Sequence, residues 1–204
     1  MLSMDKKVIL VGAFHEIIEL CELCNYTIIG IIDNNISGEY YGYKILGSDS
    51  DAPNLYEQYS NCKLIITPDQ PVIRKKIVTY YSKIGYTFET LISPNAFVSK
   101  YAILGEGCVV QSGVNISAGC EISNFVKLNV NSNVMHDNII GDFVTIAPNT
   151  VLLGYVSIGE MSYIGANSTI LPRIQIGKSS CVGAGAVVTR DVIDGVIVKG
   201  IPAK

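Results

Sequence analysis

From Val98 to Val188 every sixth residue is Ile, Leu or Val, sixteen positions without a miss. Four residues after each comes a second set, mostly small or β-branched, among them Ala102, Cys108, Val114, Cys120, Ser132, Val144, Thr150, Ser168 and Ala186. Glycine follows the aliphatic residue at Gly105, Gly141, Gly159, Gly165, Gly177 and Gly183. A period of six is neither the helical 3.6 nor the strand's alternation of two. It fits a short strand and a turn, repeated. Three such units carry the chain through a triangular coil of about 18 residues, and successive coils stack at roughly the 4.8 Å strand spacing. The expected product is an all-β parallel β-helix over residues 98–188, followed by a C-terminal tail, 189–204. Its aliphatic residues point inward, and its glycines serve corners where φ is unusual.

The first ninety residues differ in kind. VILVG (8–12) reads as a buried strand, HEIIELCEL as a helix and TIIGIID (27–33) as a second strand. KLIIT (63–67), the helical PVIRKKIVTYYSKIG (71–85) and YTFETLI (86–92) follow. Alternating strands and helices predict a small parallel α/β domain of Rossmann type over residues 1–92, with Ser93-Pro94-Asn95 as the junction. The glycine- and tyrosine-rich stretch 38–54 reads as a loop, either a substrate lid or an ordinary surface connection.

Composition narrows the function classes. A net charge of -3 with 16% charged residues leaves no basic footprint for nucleic acid. No stretch approaches the roughly 18 apolar residues of a membrane span, so a cytoplasmic protein is expected. Six cysteines in such a chain are most simply reduced, buried small hydrophobes. Cys21 and Cys24 form a CxxC inside the first helix, but a closed zinc site needs about four ligands and no second pair accompanies them.

The chain has two histidines, His15 and His136. His136 lies within the hexads beside Asp137. An imidazole can accept a proton from an incoming amine or hydroxyl near neutral pH, and a nearby carboxylate would hold its tautomer. Neighbours along a strand point to opposite faces, a constraint that relaxes at a coil corner. None of the cysteines stands in an evident nucleophile setting, so a covalent acyl-enzyme is not required.

The hexad array resembles the hexapeptide-repeat acyltransferases. The stretch HDNIIGDFVTIAPNTVLLGYVSIGEMSYIGANSTI from His136, and the ending VGAGAVVTRDVIDGVIVKGIPAK, look like the branch of sialic acid O-acetyltransferases and UDP-4-amino-sugar N-acetyltransferases. That resemblance implies a left-handed parallel β-helix behind a Rossmann-like N-terminal domain. It also implies acetyl-CoA as co-substrate without a metal, and a homotrimer with its sites between subunits. His136 matches the family's general base and Asp137 the acidic residue beside it, where the family often has glutamate. Gly154, Ala166 and Ala184 match positions along the pantetheine chain. Thr145 stands where some members have a second histidine. Lys199 and Lys204 match the region of the CoA phosphates, or are solvated terminal lysines. Gly12, Ala13, Phe14 and His15 form a shortened version of the family's glycine turn for a nucleotide sugar, where a helix N-terminus can bind an anion. Asp33 and Asn34 match sugar-nucleotide contacts. Arg74 either faces the same pocket or is a solvated helix charge.

The expected activity is direct acetyl transfer from acetyl-CoA to an amino sugar, nucleotide-linked if the first domain is to have something to hold. O-acetylation of a sialic-acid-like sugar is the alternative, and a non-catalytic sugar-binding prism the non-enzyme alternative. A γ-carbonic-anhydrase-like site would need three histidine ligands, and the hexads contain one. A dinucleotide dehydrogenase would need more glycines than the single Gly12 turn.

Overall fold

The computed structural model describes residues 6–204, so the first five residues of the expected N-terminal domain lie outside the described residues. Two compact units form, one of residues up to Pro68 with Ile73–Leu91, the other of Asp69–Val72 with Ile92–Lys204.

The early elements, in chain order, are β1 (Lys7–Val11), α1 (His15–Leu23), β2 (Thr27–Ile32), β3 (Glu39–Tyr40) and β4 (Tyr43–Gly47), then α2 (Ala52–Tyr59), β5 (Lys63–Ile66) and α3 (Pro71–Ile84). The sheet runs β3-β4-β2-β1-β5, parallel except for β3 against β4. Val8–Val11 and Leu64–Ile66 are buried throughout, the continuous apolar run of a parallel strand covered on both faces. Helix α1 buries Ile17, Ile18, Leu20 and Cys21, which its 3.6-residue period places on one side.

Two local expectations are corrected. The 38–54 stretch is not a loop: β3 and β4 form a hairpin, followed by a 3-10 turn at Asp49–Asp51 and by α2. Its tip residues Tyr41 (φ 50) and Gly42 (φ 83) are both left-handed, the turn geometry that matches strand twist. Tyrosines that read as loop composition are favourable strand residues here. In the 86–92 stretch, Phe88 forms an isolated parallel bridge to Leu64, and the continuous strand is confined to Leu91–Ile92. Of the CxxC pair, Cys21 packs in the core and Cys24 is half-buried at the C-terminal cap of α1. Burial above all, then Cys24 and Glu22, pushes the Cys21 thiol up to about 12, and burial raises Cys24 as well, the reverse of a reactive thiol. No helix among the described residues is long and apolar enough to cross a membrane.

The second unit is a three-sided parallel β-helix. Asn115 pairs with Asn133, Asn133 with Val151 and Val151 with Thr169, a step of eighteen each time. In each two-residue strand the second member turns inward, and Ile116, Val134, Leu152 and Ile170 are completely buried. Each such side chain contributes about 1.5–3 kcal/mol relative to exposure. The prism continues into the expected tail: Ile197–Val198 pairs with Cys181–Val182, and Val192 bridges Ile176. That last coil is shorter (Cys181 to Ile197, a step of sixteen), so a six-residue count loses it.

The corners also differ from expectation. Left-handed φ recurs at every sixth residue from Gly107 to Gly185, through Phe125, Asn131, Asp137, Phe143, Asn149, Tyr155 and Arg173. The glycines at 141, 159 and 165 are not among them. They are required for a different reason. A Cβ at Gly141 would lie 2.7 Å from Glu160 N, at Gly159 2.6 Å from Lys178 N and at Gly165 2.6 Å from Ala184 N. Close approach of the next coil's backbone, not φ, selects glycine there.

One interior residue works against the fold. Ser132 is completely buried, and its hydroxyl is the single buried side-chain polar atom without a partner among the described residues. Its counterparts one and two coils on, Thr150 and Ser168, both donate to Gly165 O. An unsatisfied buried hydroxyl costs about 1–3 kcal/mol. Ser132→Ala is therefore expected to raise the melting temperature by about 2–4 °C for each kcal/mol of that cost it removes. Calorimetry showing no rise would mean the hydroxyl is satisfied in solution.

Candidate active site

His136 stands at the corner between strands Asn133–Val134 and Ile139–Ile140. Asp137, the next residue, takes the left-handed corner position with φ 59, which Asp and Asn reach more readily than most residues. Strand alternation ends there, and the two side chains meet: His136 Nδ1 and Asp137 Oδ2 are 2.8 Å apart. An ionised carboxylate only accepts, so Nδ1 carries the hydrogen and Nε2 presents a lone pair. The His136 side chain is 54% exposed, leaving that lone pair open to an incoming donor.

The eighteen-residue step stacks further groups on this corner. Gly154 lies one coil beyond His136, and a Cβ built on it would sit 2.6 Å from His136 Cε1 and 2.7 Å from Nε2. Only glycine lets that backbone come so close to the imidazole. Tyr155, one coil beyond Asp137, meets the imidazole edge-on with centroids 5.3 Å apart. Arg173, one coil further, holds its guanidinium 4.7 Å over the Tyr155 ring. Inside the same corner Asn138 is completely buried, its Nδ2 donating to Met135 O at 2.9 Å and its Oδ1 accepting from Val156 N at 2.6 Å. Asn138, Tyr155 and Arg173 were not among the residues the sequence singled out. The available signal was Asn138 itself, an amide at a hexad position otherwise filled by small, β-branched or sulfur-bearing residues.

The other candidates on this unit are scattered. Ala166 and Ala184 stand one coil apart on a corner other than that of Gly154, with Gly185 N donating to Ala166 O at 2.8 Å. Lys199 and Lys204 are exposed and joined by reciprocal backbone bonds of 3.1 Å, and Lys204 borders a cleft of about 360 Å³ beside Arg190. Thr145 is corrected: it is completely buried, and its hydroxyl donates to Asp69 O at 2.6 Å. Residues 69–72 strap that face, and Lys127, 1% exposed, pairs with Asp69 at 2.8 Å. A committed, covered hydroxyl is not placed to touch a co-substrate.

On the first unit, the predicted residues gather beyond the ends of β1 and β2, but largely serve one another. Gly12 (φ 98) is hemmed in by Thr67 and Pro68. The N–H of Ala13, expected to be open for an anion, donates to Asp33 Oδ2 at 2.8 Å. The other Asp33 oxygen accepts from Asn35 N and Ile36 N. Asn34 is engaged twice by Asp49, through Nδ2 and through Asp49 N. Phe14 caps α1 without a side-chain bond, and His15 stacks on Tyr41 with centroids 5.5 Å apart. Arg74 is not a solvated helix charge: it is 2% exposed and donates to Pro68 O at 2.9 Å.

Residues 155–190 match the family described as bacterial transferase hexapeptide (six repeats). No curated protein matches the chain. Among solved structures, it is similar to a mutant GDP-perosamine N-acetyl transferase from Caulobacter crescentus, in complex with CoA and GDP-perosamine. The TM-score is 0.93 at 31% identity, covering 97% of this chain and 95% of that one. The acetyltransferase domain of PglB from Neisseria gonorrhoeae, in complex with acetyl coenzyme A, gives 0.91 at 30% identity, covering 98% and 99%. WeeI from Acinetobacter baumannii gives 0.89 at 30%, covering 97% and 99%.

Proposed function

The chain belongs to the hexapeptide-repeat, left-handed β-helix family of sugar N-acetyltransferases, enzymes that use acetyl-CoA, and from that premise we propose that it acetylates the amine of a nucleotide-linked amino sugar with His136 as general base. The observation that carries this reading is the 2.8 Å His136–Asp137 contact, with the second imidazole nitrogen left facing outward. Nε2 takes a proton from the sugar amine as its nitrogen attacks the thioester carbonyl of acetyl-CoA. The Gly154 N–H, next to the imidazole, donates to the oxyanion. Collapse breaks the C–S bond, and the departing thiolate takes the proton held by His136, leaving amide and free CoA.

The first unit, read as Rossmann-like, holds the nucleotide, and the GDP-perosamine bound by the Caulobacter relative supports a nucleotide-linked acceptor. With Ala13 N–H and Asn34 already engaged, the stacked rings of His15 and Tyr41 are the groups beside that turn that we assign to the nucleotide. A homotrimer completes the reading, supported by Ile103 and Ile139, 66% and 53% exposed in outward positions of one sheet.

Two results are expected. Thiol release from acetyl-CoA occurs with GDP- or UDP-linked 4-amino sugars and not with free nonulosonic acids. Turnover of the free acids alone would move the acceptor to a hydroxyl, and absence of turnover with every acceptor would refute the reading. Asp137→Asn keeps the left-handed corner, which Asn tolerates, but its amide can donate to Nδ1 and drive the hydrogen to Nε2. A kcat loss of about 10²-fold is expected in steady-state assays, less than a full tautomer block because the amide can flip.

A further inference from the structure

At the inward corner of each hexad stands a residue that fills space: Cys120 one coil before Asn138, Val156 and Ile174 in the two coils after it, all buried. Asn138 interrupts that column with a completely buried amide, directly after His136 and Asp137. Burying an amide is unfavourable unless its polar atoms are engaged, and here both the nitrogen and the oxygen are. Nδ2 donates to Met135 O, the residue before His136, and that carbonyl also accepts from Cys120 Sγ at 2.9 Å. Oδ1 accepts from Val156 N, two residues beyond Gly154.

The second bond departs from the rule of the neighbouring corner. There the equivalent N–H groups of Ser132, Thr150, Ser168 and Ala186 turn back to the carbonyl three residues earlier. At the His136 corner the N–H reaches down to the coil below instead. One side chain thus ties the backbone that carries the imidazole to the backbone against which it lies.

We propose that Asn138 is a positioning residue that bolts the His136–Asp137 corner to the Gly154–Tyr155–Val156 corner, so that the imidazole keeps its seat against Gly154. The tolerance there is small, because a single added Cβ would come within 2.6 Å of the ring. An ångström of misplacement at a reacting group costs about 10²-fold in rate, so a loosened seat is read in kcat rather than in substrate binding. This role rests on the reading of His136 as the base.

The test compares wild type with Asn138→Val, Asn138→Thr and His136→Ala. Valine already fills the equivalent site at Val156, so packing is preserved while both bonds are lost. Threonine is isosteric with valine and restores a donor toward Met135 O. Expected for valine is a fall in kcat of about tenfold or more, with KM for acetyl-CoA and acceptor within about threefold, and partial recovery with threonine. The second readout does not depend on activity: carbethoxylation by diethylpyrocarbonate, followed by mass spectrometry, with His15 as internal reference. The ratio of His136 to His15 modification should rise in the valine variant as the ring leaves its seat. A valine variant with unchanged kcat and unchanged ratio overturns the proposal. So does one whose kcat falls only in proportion to the folded fraction. If His136→Ala retains turnover, the base reading fails, while the modification ratio still reports whether Asn138 seats the ring.

Discussion

Replacing His136 by alanine is expected to lower kcat by about 10²–10⁴-fold, the range that a positioned general base supplies. Nothing else at the corner can substitute. Asp137 accepts the Nδ1 hydrogen and lies on the far side of the ring from Nε2, and Tyr155 meets the ring edge-on rather than through a shared hydrogen bond. The protein should otherwise be intact. The side chain is 54% exposed, so its loss opens no buried cavity, and the melting temperature should stay within about 2 °C of wild type. KM for acetyl-CoA should change little, because the interaction removed is one made in the transition state. Added imidazole should recover part of the rate, since the space over Gly154 is left vacant and open to solvent. Single-turnover and steady-state rates, with and without imidazole, decide the matter. A variant within tenfold of wild type would remove His136 from the chemistry.

How much of this could be read in advance depends on which physical effect sets each residue. The prism was legible because its interior is a hydrophobic effect repeated at fixed spacing, and Ile116, Val134 and Leu152 could hardly serve any other fold. The reason for its glycines was not. Gly141 and Gly165 look like corner residues, but their constraint comes from the backbone of a coil eighteen residues away, which no local pattern encodes. His136 stood out as the one imidazole in the hexads. Its contact with Asp137 could be expected only if a coil corner fell between them, and the left-handed φ of Asp137 supplies that corner. Thr145 entered by its match to a family position and Arg74 as a helix charge or pocket residue, and the carbonyls that engage them, Asp69 O and Pro68 O, belong to a loop whose tertiary placement no local pattern encodes. Asp33 was placed correctly at the end of β2, but its work inside the Gly12 turn is a tertiary fact.

Gly154→Ala should be the most damaging single-methyl change at the site. The backbone at Gly154 is not left-handed, so alanine meets no φ penalty, and the variant should fold. The obstacle is the ring. A Cβ at 2.6 Å from His136 Cε1 and 2.7 Å from Nε2 is closer than nonbonded carbon atoms approach, and the half-exposed imidazole is the part that can yield. Swinging outward, it moves Nε2 away from the Gly154 N–H and stretches the Nδ1 contact with Asp137. Both halves of the proposed chemistry, proton acceptance and oxyanion donation, lose their common geometry, and a fall in kcat of about 10²-fold is expected. The double variant tests whether this loss runs through His136. Residues that act as a unit are not additive, so in the His136→Ala background the added methyl group should cost less than about threefold. If the two losses multiply instead, Gly154 acts independently of the imidazole, through its backbone contact with acetyl-CoA. If Gly154→Ala alone is fully active, the ring tolerates displacement, and the tight seat against Gly154 has no part in the rate.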